Sequence, residues 1–345
     1  MQGQSLGKSA ILMSVLVIVS VLSWEFYLRA QGYTQAYNDG DALWYKNREE
    51  VYTPADRATV FIGSSRIKFD IDIPTWDSVT GEKAIQLGIA GSNPRMALDN
   101  LADDPKFRGK LVIDITEMLF FSPGPDHQLT ANLKYLKTAT PSQKFSSQLG
   151  FGLESQFIFL QKDLFSLGAM LDDLRIPDRK GVQSTVIFPK KFSNTNFARQ
   201  EKMTAAFVKD TAMQRKVKDI WTLFGALDPT HGVTGDTLQK IINEVQRDVA
   251  KIRARGGKVI FTRTPSSGGY WKFDPVKYPR AEYFDRLLAV TGCEGIYFTD
   301  YPELKNFTCL EWSHLKPADA VLFTRSLIKI LKQKNWFADN TVKVN

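Results

Sequence analysis

The sequence predicts an α/β fold: a doubly wound, mainly parallel sheet, preceded by an N-terminal membrane helix and interrupted by a mainly helical insertion. Three observations predict it. Short apolar runs bounded by turn signals recur at 58–63, 83–91, 110–116, 258–265 and 295–301, as expected of strands buried on both faces. Helical spacing fills much of the sequence between them. An uncharged run of fifteen residues, Ala10 to Trp24, stands ahead of all of this.

That run is the first element. Phe26, Tyr27 and Leu28 extend it past Glu25, so 10–28 approaches the roughly 20 apolar residues that a spanning helix needs. Lys8 precedes it, and Trp24 and Tyr27 sit where an interfacial aromatic belt would lie. No small-x-small cleavage site follows, so residues 1–29 read as an uncleaved signal anchor rather than a cleaved signal peptide. The polar, Gly-containing stretch from Gln31 to Glu50 argues against a buried core helix. Arg29, Lys46 and Arg48 follow the span, so charge bias does not decide orientation. The expectation is a single-pass protein whose main domain is periplasmic or extracellular. Export would permit one bridge between Cys293 and Cys309, the only cysteines; two buried thiols are the other reading.

Residues 30–57 read as a membrane-proximal connector. ATVFIG (58–63) is the first strand and KAIQLGIAG (83–91) the second. Asn93-Pro94 has the form of a helix start, with Met96, Leu98 and Leu101 continuing it. KLVIDIT (110–116) is the third strand. Within the insertion, about 125–235, Gln156 to Leu174 reads as an amphipathic helix. Leu238, Ile241, Ile242, Val245, Val249 and Ile252 then keep helical spacing up to Gly256-Gly257. KVIFTRTP (258–265) is the next strand, Ala281 to Val290 a helix, GIYFTDY (295–301) the last strand, and Ala318 to Leu331 a closing amphipathic helix. The α/β domain is placed at 58–335, with a tail at 336–345.

Composition narrows the function. With 43% apolar and 24% charged residues, the chain is not disordered, collagen-like or polytopic. The charge of +8 comes from scattered residues, without the basic stripe or module of a nucleic-acid binder. Mild attraction to an anionic polymer or membrane surface is compatible with it. The three histidines, His127, His231 and His314, lie in separate segments, so no metal site is expected, and no cofactor. Asp70, Asp72 and Asp77 read as solvated loop carboxylates.

Two short segments carry chemistry. Gly63-Ser64-Ser65-Arg66 falls at the carboxyl end of the first strand, the edge where open α/β sheets hold ligands. A serine on a tight turn at a helix start suits a nucleophile, and equally an ordinary cap. Glu311-Trp312-Ser313-His314 lies between the last strand and the last helix. A serine nucleophile needs a base, and the base a carboxylate that holds its tautomer; Glu311 and His314, three apart, can face inward from one turn.

Taken together, these segments resemble the SGNH (GDSL-like) hydrolase superfamily over about 58–332. That resemblance implies a flavodoxin-like sheet, Ser65 as nucleophile, His314 as base and Glu311 as its carboxylate, in the family order. It implies an oxyanion hole from Ser65 and from Gly91 in LGIAG. The family's third block ends in an Asn that donates to the oxyanion; here IDITEMLFF (113–121) has none, and Thr116 or Glu117 stands in that neighbourhood. An ionised Glu cannot donate. Arg263, Asn93 and Arg66 are candidate substrate contacts in its place, with Glu117 beside them. The anchor, the GSSR-like turn, the missing Asn and the late His-Leu motif resemble the membrane-anchored subgroup that acylates cell-envelope polymers, which includes the D-alanine transfer protein of teichoic acid modification and periplasmic proteins of alginate and cellulose O-acetylation. This implies O-acyl transfer to a polysaccharide beside a multipass membrane-bound O-acyltransferase. An esterase or deacetylase on the same fold, and a non-catalytic scaffold or glycan binder, are the competing expectations. Tyr270, Trp271 and Trp312 are candidates for stacking on sugar rings.

Overall fold

The computed structural model describes residues 2–172, 188–227 and 232–337. His231, the last residues of the expected 156–174 helix and residues 338–345 of the expected tail lie outside the described residues. The chain forms two compact units, Met1–Asn38 with Pro141–Thr185, and Asp39–Thr140 with Val186–Asn345. The division differs from a single insertion at 125–235, because only its central part joins the N-terminal segment.

In the first unit a helix runs from Gln2 to Ala30, and Leu6–Ala30 is long and apolar enough to cross a membrane. Glu25, the charge that interrupts the apolar run, is buried. Its carboxylate accepts from the backbone N–H of Ile158 at 2.9 Å and Phe159 at 3.3 Å, and from Arg29 Nε at 2.8 Å. These bonds change the local structure of the partner segment. Instead of one amphipathic helix from Gln156, the chain makes a 3-10 turn, Ile158–Leu160, and short helices Lys162–Phe165 and Leu167–Asp172. Asn38 Oδ1 takes the Lys162 N–H at 2.7 Å. Side chains thus supply the acceptors that preceding carbonyls would supply in a continuous helix.

Among its described residues the second unit holds seven strands: β1 Ala58–Ile62, β2 Lys83–Gln86, β3 Lys110–Asp114, β4 Ser193–Thr195, β5 Glu201–Met203, β6 Lys258–Arg263 and β7 Glu294–Tyr297. Five form one parallel sheet in the order β2-β1-β3-β6-β7. Val60 is in register with Ile85 on one side and Leu111 on the other, and Thr262 with Ile296. Every residue of β1 and β3 is buried, which explains why both read as continuous apolar runs. Because β2 and β3 flank β1, the order reverses at β1, and the carboxyl ends of β1 and β3 mark the edge at which such sheets hold ligands. Phe61 meets Trp76 edge-on at 4.8 Å in the core; truncating such a ring costs about 3–5 kcal/mol.

Local signals explain the helix boundaries. Asp72 Oδ1 caps Ile73–Thr80 by accepting from Thr75 N at 3.0 Å, and Gly81 closes it in the left-handed region. Asn93 Oδ1 accepts from Arg95 N at 3.0 Å at the start of Arg95–Asp103. The 238–252 periodicity becomes Gly235–Ala254, and the closing helix is Pro317–Gln333. The last strand stops at Tyr297, where a 3-10 turn, Phe298–Asp300, begins.

Several expectations are corrected. Part of the connector belongs to the second unit, where Leu43, Trp44 and Val51 are buried and Trp44 Nε1 donates to the Leu87 carbonyl at 3.2 Å. The insertion carries the antiparallel hairpin β4–β5 as well as helices. Trp336 and Phe337 are buried, so the domain continues past 335. Asp70 and Asp72 are buried rather than solvated. Of the two readings left open for the cysteines, the structure has free thiols, Cys309 buried and Cys293 half-buried.

Candidate active site

The turn after β1 requires its glycine. A Cβ on Gly63 would lie 2.8 Å from Asp114 Cβ and 3.0 Å from Ile67 Cγ2, so a side chain there would separate the turn from β3. The two serines that follow face different ways. Ser64 is 1% exposed and its Oγ lies 2.6 Å from Thr116 Oγ1. Ser65, the first residue of the helix Ser65–Asp70, is partly exposed, and its Oγ lies 2.8 Å from His314 Nε2.

His314 is held from several directions. Its Nδ1 lies 2.9 Å from Glu311 Oε1, and its backbone N–H donates to that same oxygen at 2.7 Å. Phe69 stacks on the ring at 4.2 Å, while Phe192 and Trp221 flank it, each at 6.1 Å. The next residue, Leu315, donates its N–H to Asp70 Oδ1 at 3.0 Å. Trp312 has φ of 80°, which gives the 311–314 turn the sharpness to return both side chains to one place. Gly268 and Gly269 lie against the Trp312 indole, where a Cβ would come within 2.2 and 2.7 Å.

Glu311 is 0% and His314 1% exposed. The second oxygen of Glu311 accepts from Trp221 Nε1, so the carboxylate is filled by three donors. With Nδ1–H donated to Glu311, Nε2 is left to accept the Ser65 hydroxyl proton. This is the geometry of an activated serine.

A buried charge network lies behind the triad. Arg263 donates to Glu117 at 3.1 Å, Ser266 Oγ at 2.8 Å, the Thr264 carbonyl at 2.7 Å and Asp274 at 2.8 Å. It is fully buried, as is nearly all of Glu117. Both are committed to the interior, where Arg263 is held by four partners, while Glu117 Oε2 is buried without a hydrogen-bond partner among the described residues. Arg66 is likewise buried, reaching Ser313 Oγ and Asp274 at 3.4 Å with Tyr270 beneath its guanidinium at 5.2 Å. Asn93 is buried just ahead of Arg95–Asp103, its Oδ1 taken by the Arg95 N–H and its amide donating to the Ser122 carbonyl at 3.2 Å. Gly91 is exposed with φ of 66°. The Ile89 N–H donates to the Gly63 carbonyl at 3.1 Å, which brings the loop leading into Gly91 alongside the turn after β1.

Burial pushes Asp70 well above the ordinary carboxylate range. It also pushes Asp114 up, to about 6, with Arg66 and the Thr264 N–H pulling the other way. Burial raises Tyr270 beyond the usual phenol range. Of the aromatic candidates, Tyr270 lies 5.8 Å from Trp221 and is used in packing, and Trp271 sits edge-on to Phe298 at 5.0 Å. Among the described residues, no group of three His, Cys, Asp or Glu side chains could hold a metal ion.

Sequence reading missed two contributors. Trp221 carried no signal beyond helical apolar spacing. Arg199, buried with φ of 63°, donates to the Gln86 carbonyl at 2.8 Å and the Gly88 carbonyl at 3.0 Å and pairs with Asp39 at 2.5 Å. It pins the loop after β2 from the far-off β4–β5 hairpin. Comparison with protein-family models and with curated proteins finds no match for this chain.

Proposed function

We propose that the protein is a membrane-anchored serine O-acyltransferase of the SGNH type, moving an acyl group, acetyl in the simplest case, onto a hydroxyl of an extracytoplasmic polysaccharide. The observation that carries this is the relay Ser65–His314–Glu311, with links of 2.8 and 2.9 Å. The sheet order supports it: numbered along the sheet-forming strands alone it reads 2-1-3-4-5, the flavodoxin-like order.

In the first half-reaction Ser65 Oγ attacks the donor carbonyl and His314 Nε2 takes its proton. The donor's C–O or C–S bond breaks, and the leaving group takes the proton back from His314. In the second half, His314 removes the proton of the acceptor hydroxyl, that oxygen attacks the Ser65 ester, and Ser65 regains its proton. Glu311 holds the imidazole tautomer and stabilises the transient imidazolium. The Ser65 N–H, at a helix start with no intrahelical acceptor, and the Gly91 N–H would face the oxyanion. Loss of one oxyanion donor costs about 10²–10³ in turnover, so the absence of an Asn here suits an activated donor better than a plain ester. The rings of Phe69, Phe192 and Trp221 keep the His314 imidazole out of bulk water. The long apolar helix Leu6–Ala30 supports a domain tethered at a membrane, beside a multipass O-acyltransferase that would supply the acyl group.

The test is covalent trapping. The full-length protein in detergent is treated with a fluorophosphonate and with an activated acetyl ester, and the adduct is mapped by mass spectrometry. The expected adduct is on Ser65, retained in Ser64→Ala and lost in Ser65→Ala and His314→Ala. An adduct on Ser64, or none in folded protein, overturns the assignment, and the latter favours a scaffold. Acetyl delivered to an oligosaccharide hydroxyl, against free acetate, separates a transferase from an esterase or deacetylase.

A further inference from the structure

The helix Pro141–Glu154 has no buried residue, yet it is not polar all round. Phe145, Leu149 and Leu153, spaced i, i+4, i+8, form one ridge and are 63%, 57% and 53% exposed. On the opposite side Lys144, Ser147, Phe151 and Glu154 are half-buried. The usual arrangement of a soluble helix is therefore inverted, with an apolar ridge outward and mostly polar groups inward. A second patch of the same unit repeats the pattern, with Leu167, Met170 and Leu171 exposed on one face of a short helix.

The depth of this helix is set by the apolar span. Glu154 accepts from Asn38 at its backbone N–H and at Nδ2, at 3.1 and 2.7 Å, and the Glu154 carbonyl accepts from Gln35 Nε2 at 3.1 Å. Four residues on, the Ile158 N–H is held by Glu25, and Arg29 donates to the Gln156 carbonyl at 2.8 Å. Glu25 lies between Trp24 and Tyr27, a stacked pair 5.5 Å apart whose side chains are exposed. Aromatic residues of this kind mark the boundary of a bilayer. The carboxyl end of the ridge helix is thus fastened at the level where the span leaves the hydrocarbon.

We propose that Pro141–Glu154 lies on the membrane surface as an interfacial helix, with Phe145, Leu149 and Leu153 inserted among the lipid acyl chains. The occupant of the exposed ridge is the bilayer itself. This rests on the reading of Leu6–Ala30 as a membrane span. An interfacial helix beside a span restricts how the anchored unit tilts, which a single flexible tether does not do.

The test uses the unmodified full-length chain in vesicles of phosphatidylethanolamine and phosphatidylglycerol that contain a phospholipid with a diazirine in its acyl chain. After illumination, lipid adducts are mapped by mass spectrometry, and hydroxyl-radical footprinting of the same vesicles reports water access. The expected result is lipid adducts on 10–23 and on Phe145, Leu149 and Leu153, with radical oxidation of Phe145 at least fivefold below that of the exposed Phe273, and of Leu149 and Leu153 at least fivefold below that of the exposed Leu322. Adducts on the span alone, with the ridge oxidised like Phe273 and Leu322, overturn the proposal in favour of a solvent-facing helix. Adducts on the span alone, with the ridge protected from radicals, overturn it in favour of a protein partner. Adducts on neither segment overturn the span and the interfacial helix together.

Discussion

The indole N–H of Trp221 donates to the Glu311 oxygen that His314 leaves open. The carboxylate therefore has no freedom to rotate away from the imidazole, and a residue of the insertion becomes part of the geometry of the late motif. Trp221→Phe keeps the ring against His314 but leaves one buried carboxylate oxygen unsatisfied, at about 1–3 kcal/mol. The expected outcome is a kcat about tenfold lower with KM nearly unchanged, together with a lower Tm. Steady-state kinetics on an activated acetyl ester, with a thermal melt alongside, checks it. A raised KM at constant kcat would instead make Trp221 a substrate contact.

Glu311→Gln tests the tautomer. The amide retains the size of the side chain but no longer secures Nδ1–H on His314. A loss of about 10⁴ in kcat is expected, the scale seen when the orienting carboxylate of a serine triad is replaced by its amide. Circular dichroism should show an unchanged fold. Activity within tenfold of wild type would mean that Glu311 is only a structural anchor for the turn.

The buried partners of Arg263 predict a structural role with a measurable signature. Arg263→Met removes the cation between Glu117 and Asp274, leaving Glu117 without its cation and Asp274 with Arg66 alone. Breaking a buried pair from one side costs about 3–5 kcal/mol. Urea titration should show that loss, while KM in the surviving folded fraction stays constant. A large KM change with unaltered stability would restore Arg263 as a substrate contact.

Two carboxylates predict opposite pH effects. For Asp39, burial pushes the pKa up but Arg199 and Lys68 outweigh it, holding the group at about 2. A depressed carboxylate contributes stability above its unfolded pKa, and the contribution is lost as pH falls from about 4 to about 2. Asp39→Asn should therefore cost about 2 kcal/mol at pH 7 and almost nothing below pH 2. Asp114 is raised to about 6 by burial, so its ionisation costs stability as pH rises from about 4 through 6. Asp114→Asn should match the wild type at pH 4 and exceed it by about 3 kcal/mol at pH 8. Denaturant titrations of the three proteins across pH check both signs.

The sequence by itself determined the parallel α/β class, the positions of the five strands of the parallel sheet and the chain order of serine, acid and histidine, but not the β4–β5 hairpin. These rest on short-range rules: runs of apolar residues make buried strands, Asp and Asn cap helices, and Glu311 lies three residues from His314. It also marked the long apolar helix, which depends on composition alone. Tertiary structure decided everything that depends on a distant partner. Ser64 and Ser65 carry the same hydroxyl on adjacent residues; the resemblance pointed to Ser65, and the fold sets Ser65 against His314, 249 residues away, and Ser64 against Thr116. Arg263 looked like a free cation at a strand end, but the fold surrounds it with Glu117, Ser266 and Asp274. The Gln156–Leu174 periodicity was overridden by Glu25 and Asn38, which capture its N–H groups across more than a hundred residues. Periodicity describes what a segment does with its own neighbours, while a buried polar atom must be satisfied by whatever the fold brings to it, and that choice is made in three dimensions.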